Sequence, residues 1–332
     1  MNWKLKGHVM AVLSRLPGGH RAYHLLQRLM GTNRMSIEKD ISKALEILDM
    51  IHIAGQSAEG RVFLEIGTGW RPFVPFVLYL AGAKRILTLD INPWLTKAYA
   101  FETFRGLASE LDSIAIRARV EETLVRTRYA AATPKTDSLL ELLNGFHVEY
   151  VCPGDARTTG LDEASIDYVV SSNVFEHIPR DILRDIHAET HRILKPGGMS
   201  VHRFNPQDHY SWVDPSITGA NFLQFSEAEW NWYGGSGLAF HNRLRCRQHT
   251  ELFLEAGLIE VVNKVRVNGP AAEAIRNGSL SVHKDFAGFS PEELAGDYMW
   301  AAYQRPEFVT YDDRSTHHAS SQDSLFAGAA TC

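Results

Sequence analysis

An acid, two closely spaced glycines and a second acid downstream pose the first chemical question of this 332-residue chain. The run LEIGTG, Leu64 to Gly69, places Glu65 just before a G-x-G turn, and Asp90 closes a second apolar run, ILTLD. Glycine lets a ligand approach the backbone because no Cβ stands in the way. A carboxylate is a strong acceptor for ligand hydroxyls. The pattern therefore reads as a nucleotide-binding turn. A dinucleotide turn would continue to G-x-G-x-x-G, whereas Arg71 and Pro72 stand here in place of a third glycine.

A second set of chemistry-bearing residues follows near the middle of the chain. His202, Asp208, His209 and Tyr210 lie close together in sequence. Imidazole titrates near neutrality, so such a group can orient or deprotonate an acceptor. A hydrogen-bonded structural histidine and a polar loop cluster account for the same residues.

These side chains need elements to hold them. RVFLEIG, AKRILTLDI, VEYVCPGD, IDYVVSS and MSVHRF are five apolar strand candidates, and LIEVVNKVRV and DYMWAAYQ are later ones. Helical patterns alternate with them, which predicts a doubly wound α/β fold with a parallel sheet covered on both faces. Ligands of such sheets bind at the carboxyl ends of the strands, where the turn at Gly67 falls. Pro72 suits the first turn of the following helix. DILRDIHAETHRIL predicts a helix that Lys195-Pro196-Gly197-Gly198 ends.

Residues 1–58 read as a helical extension or cap and 59–305 as the catalytic domain. From Ser36, an expected N-cap, a stripe of Ile37, Ile41, Leu45 and Leu48 marks an amphipathic helix that stops at Gly55. A shorter helix is expected over 16–31. The segment 94–146 is too long for one crossover helix, and its Arg117, Arg119, Arg126 and Arg128 read as a solvated face. The segment 204–245 is dense in aromatics, which form either a small satellite core or a lid over a ligand. Residues 306–332 lose periodicity and are expected to be a disordered tail.

Composition narrows the partners. The formal net charge is -5, so no global basic field draws in nucleic acid. Three scattered cysteines, Cys152, Cys246 and Cys332, fit a reducing compartment better than a disulfide framework. No apolar run is long enough for a membrane span, and the expected setting is cytoplasmic.

In order and spacing, Glu65, the Gly67-Thr68-Gly69 turn, Asp90, Gly154-Asp155-Ala156, the IDYVVSSNVFEHIP strand exit and ILKPGGMSV resemble the class I S-adenosylmethionine-dependent methyltransferases. The resemblance covers about 62–203 and implies a mostly parallel, seven-stranded Rossmann-like sheet with S-adenosylmethionine as cofactor. It further implies that Glu65 acts on the cofactor ammonium group, directly or through water. Gly67, Thr68 and Gly69 would line the methionine part, and Asp90 would take the ribose diol. Ile91 and Asn92 would lie against adenine, Asp155 would bond its amino group, and Ala156 would sit beside the ring. Ser171, Ser172 and Asn173 would face the sulfonium end. Arg71 departs from the family pattern and bears on helix packing at the turn.

Some related RNA methyltransferases bind a metal through a Glu-rich segment ending in Glu-His. In this chain Asn173 stands where the first acid would be, so no metal is expected, and Glu176 reads as stabilising a helix start. The exit SSNVFEHI differs from the Asn-Pro-Pro-Tyr type used on adenine and glutamine nitrogens. The expected function is methyl transfer to a small molecule, with His202, His209 and Tyr210 as candidate catalytic groups. Two alternatives remain open at this point. One is cyclisation of the cofactor to azetidine-2-carboxylate and methylthioadenosine, and the other is cofactor binding without catalysis.

Overall fold

A computed structural model describes residues 2–16, 35–234 and 240–307. The short helix expected over 16–31, the tail beyond 307 and Cys332 lie outside the described residues. The helix α1 (Trp3–Arg15) is followed by α2 (Ile37–Ile53), and then the sheet begins. Its strands are β1 (Val62–Ile66), β2 (Arg85–Leu89), β3 (Val148–Val151), β4 (Ile166–Ser172), β5 (Leu194–Phe204), β6 (Ile259–Val267) and β7 (Gly296–Gln304). They form a seven-stranded sheet in the order β3-β2-β1-β4-β5-β7-β6. All pairs are parallel except those of β7, which runs antiparallel to β5 and to β6. The expected doubly wound architecture is therefore the observed one.

Strand alternation divides the side chains between two cores. Phe63, Tyr168, Val170, Met199 and Val201 face α2 and the helix α3 (Phe73–Leu80). Leu64, Ile66, Val169 and Phe204 face the other side, under α8 (Arg180–Ile193) and α10 (Cys246–Glu255). The long segment between β2 and β3 folds as α4 (Lys97–Leu107), α5 (Leu111–Ala118), α6 (Glu122–Ala131) and α7 (Leu139–Gly145). Three of its arginines are ion-paired: Arg117 with Asp49, Arg126 with Asp112 and Glu122, and Arg128 with Glu59.

A third core stands beyond the sheet. Trp3 of α1 packs against Tyr210, Phe225, Trp230 and Tyr233, with ring centroids 5.2–6.2 Å away. Trp230 and Tyr233 belong to α9 (Glu227–Gly234). Ala271 and Ala272 of α11 (Gly269–Arg276) and Leu294 of α12 (Pro291–Leu294) complete the cluster. The aromatics of the 204–245 segment thus form a satellite core that α1 closes.

Three local expectations are corrected. Ser36 makes no side-chain cap; the Asp40 carboxylate instead accepts the Ser36 N–H at 3.3 Å. Pro72 sits one residue before α3 rather than inside its first turn. Lys195 to Gly198 lie within β5, because α8 ends at Ile193 and the ladder to β4 shifts register there.

Candidate active site at the carboxyl ends of the central strands

β1 lies between β2 and β4, so the strand order reverses there and a crevice opens beyond their carboxyl ends. Glu65 and Thr88 sit opposite each other on β1 and β2. The Thr68 and Thr88 hydroxyls approach to 2.5 Å, and Thr88 donates to Glu65 Oε2 at 2.5 Å. Burial raises the Glu65 carboxyl from its ordinary value to about 8, although the Thr88 hydroxyl opposes that shift. No arginine pairs with it among the described residues.

The glycine turn is built for close approach. Gly67 has φ +83°, and a Cβ there would lie 2.5 Å from Val174. Gly69 has φ +64°, and a Cβ there would enter open space, leaving a cradle beside the backbone. Its N–H donates to Asp90 Oδ2 at 2.8 Å, while Oδ1 accepts the Asn92 N–H at 2.9 Å. Burial raises the Asp90 carboxyl and these backbone donors pull it back. Ile91 projects outward, 71% exposed, next to this carboxylate. Ala156 is buried in the core, and Asp155 forms a bidentate pair with Arg157 at the surface.

Arg71, which breaks the family pattern, holds the neighbouring segment. Its guanidinium bonds Glu102 of α4 at 2.8 Å and covers the Tyr99 ring at 4.3 Å. Trp70 stacks on Trp94 at 5.2 Å. The turn and the first helix of the 94–146 segment are thereby joined.

At the ends of β4 and β5 the alternation separates neighbours. Ser171 and His202 are paired in the ladder and point into the α8 and α10 side. His202 is fully buried, with Nδ1 2.8 Å from Ser171 Oγ and Nε2 2.6 Å from Ser200 Oγ. Phe175 and Phe253 cover its ring, and burial holds it far below its ordinary pKa. His202 is consequently a core residue and no proton acceptor for a ligand. Arg203, one residue on, faces α2, where its Nε bonds Glu46 at 2.8 Å and NH1 bonds Ser172 Oγ at 3.0 Å. Asn173, in the left-handed region at φ +56°, accepts from the Tyr298 hydroxyl at 2.9 Å and from Arg203. Glu46, Arg203 and Tyr298 carry no motif of their own; the only signal is an arginine inside an apolar strand.

Tyr210 is likewise structural, because its hydroxyl donates to the Tyr233 carbonyl inside the aromatic core. His209 is different. It lies in a short 3-10 turn, half-buried, stacked between Trp212 at 4.2 Å and His241 at 4.9 Å. Its Nε2 bonds the Asn205 side-chain oxygen, and its ring centroid is 5.1 Å from that of His177. Glu176 starts no α-helix: it sits in the 3-10 turn Phe175–His177 and is 1% exposed. One potential ligand atom from each of Glu176, His177 and His209 lies within 4.8 Å of those of the other two.

A depression of about 750 Å³ lies elsewhere, along β3 and α7 at Arg85, Leu139, His147 and Tyr150. Its lining runs along the edge strand β3 and includes none of Glu65, Gly67, Gly69 or Asp90.

A family profile described as a methyltransferase domain matches residues 124–201, from α6 through β4 into β5. No curated protein matches the chain. Solved structures similar to it include a geranyl diphosphate methyltransferase with bound geranyl diphosphate and sinefungin, at 14% identity and TM-score 0.45, covering 80% of this chain and 77% of that one. Phosphoethanolamine N-methyltransferase 2 of Haemonchus contortus shares 16% identity at TM-score 0.42, covering 79% and 52%. An S-adenosylmethionine-dependent methyltransferase of Mesorhizobium loti shares 15% at TM-score 0.41, covering 78% and 100%. Identities this low transfer no residue roles. The profile match gives residues 124–201 as a methyltransferase-domain segment, the strand order is that of the expected Rossmann-like sheet, and the cradle and acid pair fit S-adenosylmethionine as cofactor.

Proposed function

We propose that the chain transfers the cofactor methyl group to a small molecule held between the carboxyl ends of β4 and β5 and the aromatic cap. The observation that carries this reading is the position of the cap. Asp208, His209 and Tyr210 follow β5 directly, and Trp3 of α1 docks on the same segment; we read this aromatic cluster beyond β5 as a roof over the acceptor side. A roof of that kind suits a ligand small enough to be enclosed, and the net charge of -5 offers nothing to a polyanion.

S-adenosylmethionine supplies an electrophilic methyl group on a sulfonium. The work of this chain is to hold the two partners in line and to keep water out. Asp90 has acceptor capacity left for the ribose hydroxyls beyond its two backbone donors. Glu65 would face the cofactor ammonium group, Gly67, Thr68 and Gly69 the methionine part, and Ile91 and Asn92 the adenine. Asp155 and Ala156 flank the other side of the base, and Ser171, Ser172 and Asn173 present backbone toward the methyl group. Of the three candidate catalytic groups, His209 alone retains an aspect toward the acceptor side.

The test divides a cell extract by ultrafiltration and incubates each fraction with purified protein and S-adenosylmethionine. S-adenosylhomocysteine formed with the low-mass fraction supports the proposal. Formation with the high-mass fraction alone overturns it, and methylthioadenosine formed without any acceptor would point to a different use of the cofactor.

A further inference from the structure

The turn after β4 and the turn after β5 converge on a set of donors that methyl transfer by itself does not require. Glu176 is 1% exposed, and its Oε2 has no hydrogen-bond partner. Its other oxygen is 3.5 Å from the Asn205 N–H, at the limit of a hydrogen bond. A buried carboxylate oxygen without a partner is unfavourable by a few kcal/mol unless a cation or donor completes it. His177 Nδ1 bonds the Phe240 carbonyl at 2.9 Å. A carbonyl only accepts, so Nδ1 carries the proton and the Nε2 lone pair is left available. His209 Nε2 meets the Asn205 amide oxygen in the same way, which leaves the lone pair on Nδ1.

We propose that Glu176, His177 and His209 form a binding site for a divalent first-row transition ion of the zinc type. Two imidazoles and one carboxylate match the donor preference of such ions, whereas magnesium and calcium favour oxygen alone. One potential ligand atom from each residue lies within 4.8 Å of those of the other two. An ion with bonds of ~2.1 Å holds them about 3.4 Å apart, so small side-chain rotations close the site.

The surroundings are those of a supported metal site. Phe240 and Asn205 each fix one imidazole through its second nitrogen, the usual outer partner of a ligating histidine. Asn242 pins the turn itself: its side chain donates to the Phe175 and Ile178 carbonyls at 2.7 and 2.8 Å, and its N–H to the Glu176 carbonyl at 2.7 Å. The buried Asp208 lies behind, 3.7 Å from His241, whose ring stacks on His209. His177 is exposed, which gives an ion a path in. Three protein ligands leave a coordination position open, where an oxygen ligand would be polarised and deprotonated more easily.

The experiment measures binding and needs no turnover. Full-length protein is stripped with a chelator, dialysed and titrated with cobalt(II) while its visible absorption is followed. Zinc(II) is then used to displace the cobalt, and metal content is read by elemental analysis. One ion per chain is expected, with d–d bands that zinc(II) abolishes. His177→Ala and His209→Ala should each weaken binding at least about tenfold, while His147→Ala, at the amino end of β3, should leave it unchanged. His177 is exposed, so its variant remains informative if His209→Ala fails to fold. Loss of all metal from the wild-type protein on dialysis overturns the proposal, and so does undiminished binding in both variants. Calorimetry with S-adenosylmethionine on the same samples separates this outcome from the methyl-transfer reading, which stands or falls by cofactor binding.

Discussion

The Asp90 carboxylate joins two backbone segments: Oδ2 takes the Gly69 N–H at 2.8 Å and Oδ1 the Asn92 N–H at 2.9 Å. One side chain therefore sets the shape of the glycine turn and the exit of β2 while keeping lone pairs for a ligand. Asp90→Ala removes both backbone acceptors and the ribose acceptor together. It should weaken S-adenosylmethionine binding by about 1–3 kcal/mol and also lower stability. Asp90→Asn retains an acceptor but not the charge and should lie between. Calorimetry with a parallel thermal melt reads both effects; unchanged binding in Asp90→Ala would remove the ribose assignment.

Glu65 makes stability depend on pH. Burial raises its carboxyl to about 8, against an ordinary 4.5. The folded chain thus holds this proton more tightly than the unfolded chain does. Stability from this group is fully present below pH 4.5 and is lost as pH rises toward 8. Glu65→Gln should flatten that fall, by on the order of a few kcal/mol across the window. Urea unfolding at about pH 5.5 and about pH 8 checks the slope. Cofactor binding to the wild type should release a proton, seen as a dependence of calorimetric heat on buffer, and the variant should lose that dependence.

The strand pattern and the spacing of Glu65, Gly67, Gly69 and Asp90 were legible because each is local: apolar runs make buried strands, and the turn follows its strand at once. The acceptor side was not, and the reasons are physical. Period-2 alternation puts His202 and Arg203 on opposite faces, but the sequence near them does not say which face is covered. The covering side chain, Phe253 of α10, lies some fifty positions away, and Glu46, which receives Arg203, lies in α2. Likewise residues 240–242, which fold back over the turn carrying Glu176 and His177, have no local pattern that announces this contact. The partners of the aromatic segment at 269–294 have no periodicity that marks them as a cap.

Arg71 should matter for the position of the 94–146 segment rather than for cofactor affinity directly. Its side chain is 10% exposed, bonded to Glu102 and stacked over Tyr99. Arg71→Ala should cost about 1–2 kcal/mol, since it loses packing as well as charge. Arg71→Lys keeps the charge but not the planar stacking and should recover only part. Hydrogen exchange should show faster opening of α4 in both variants. Equal protection of α4 in wild type and Arg71→Ala would dissociate the turn from the helix.

His202 gives the sharpest separation between a core role and a chemical one. Both ring nitrogens are engaged by serine hydroxyls, and Phe175 lies 4.2 Å from the ring. His202→Ala leaves a cavity and two buried hydroxyls without their partner, so it should destabilise the fold by about 2–4 kcal/mol. A residue that took the acceptor proton would instead shift the pH dependence of kcat. His202→Gln supplies hydrogen-bonding groups to the same two serines and should recover much of the stability. The pH profile of turnover should keep its wild-type shape in His202→Gln at a temperature well below its melting point. A lost or displaced limb in that profile, with the fold intact, would return His202 to the chemistry.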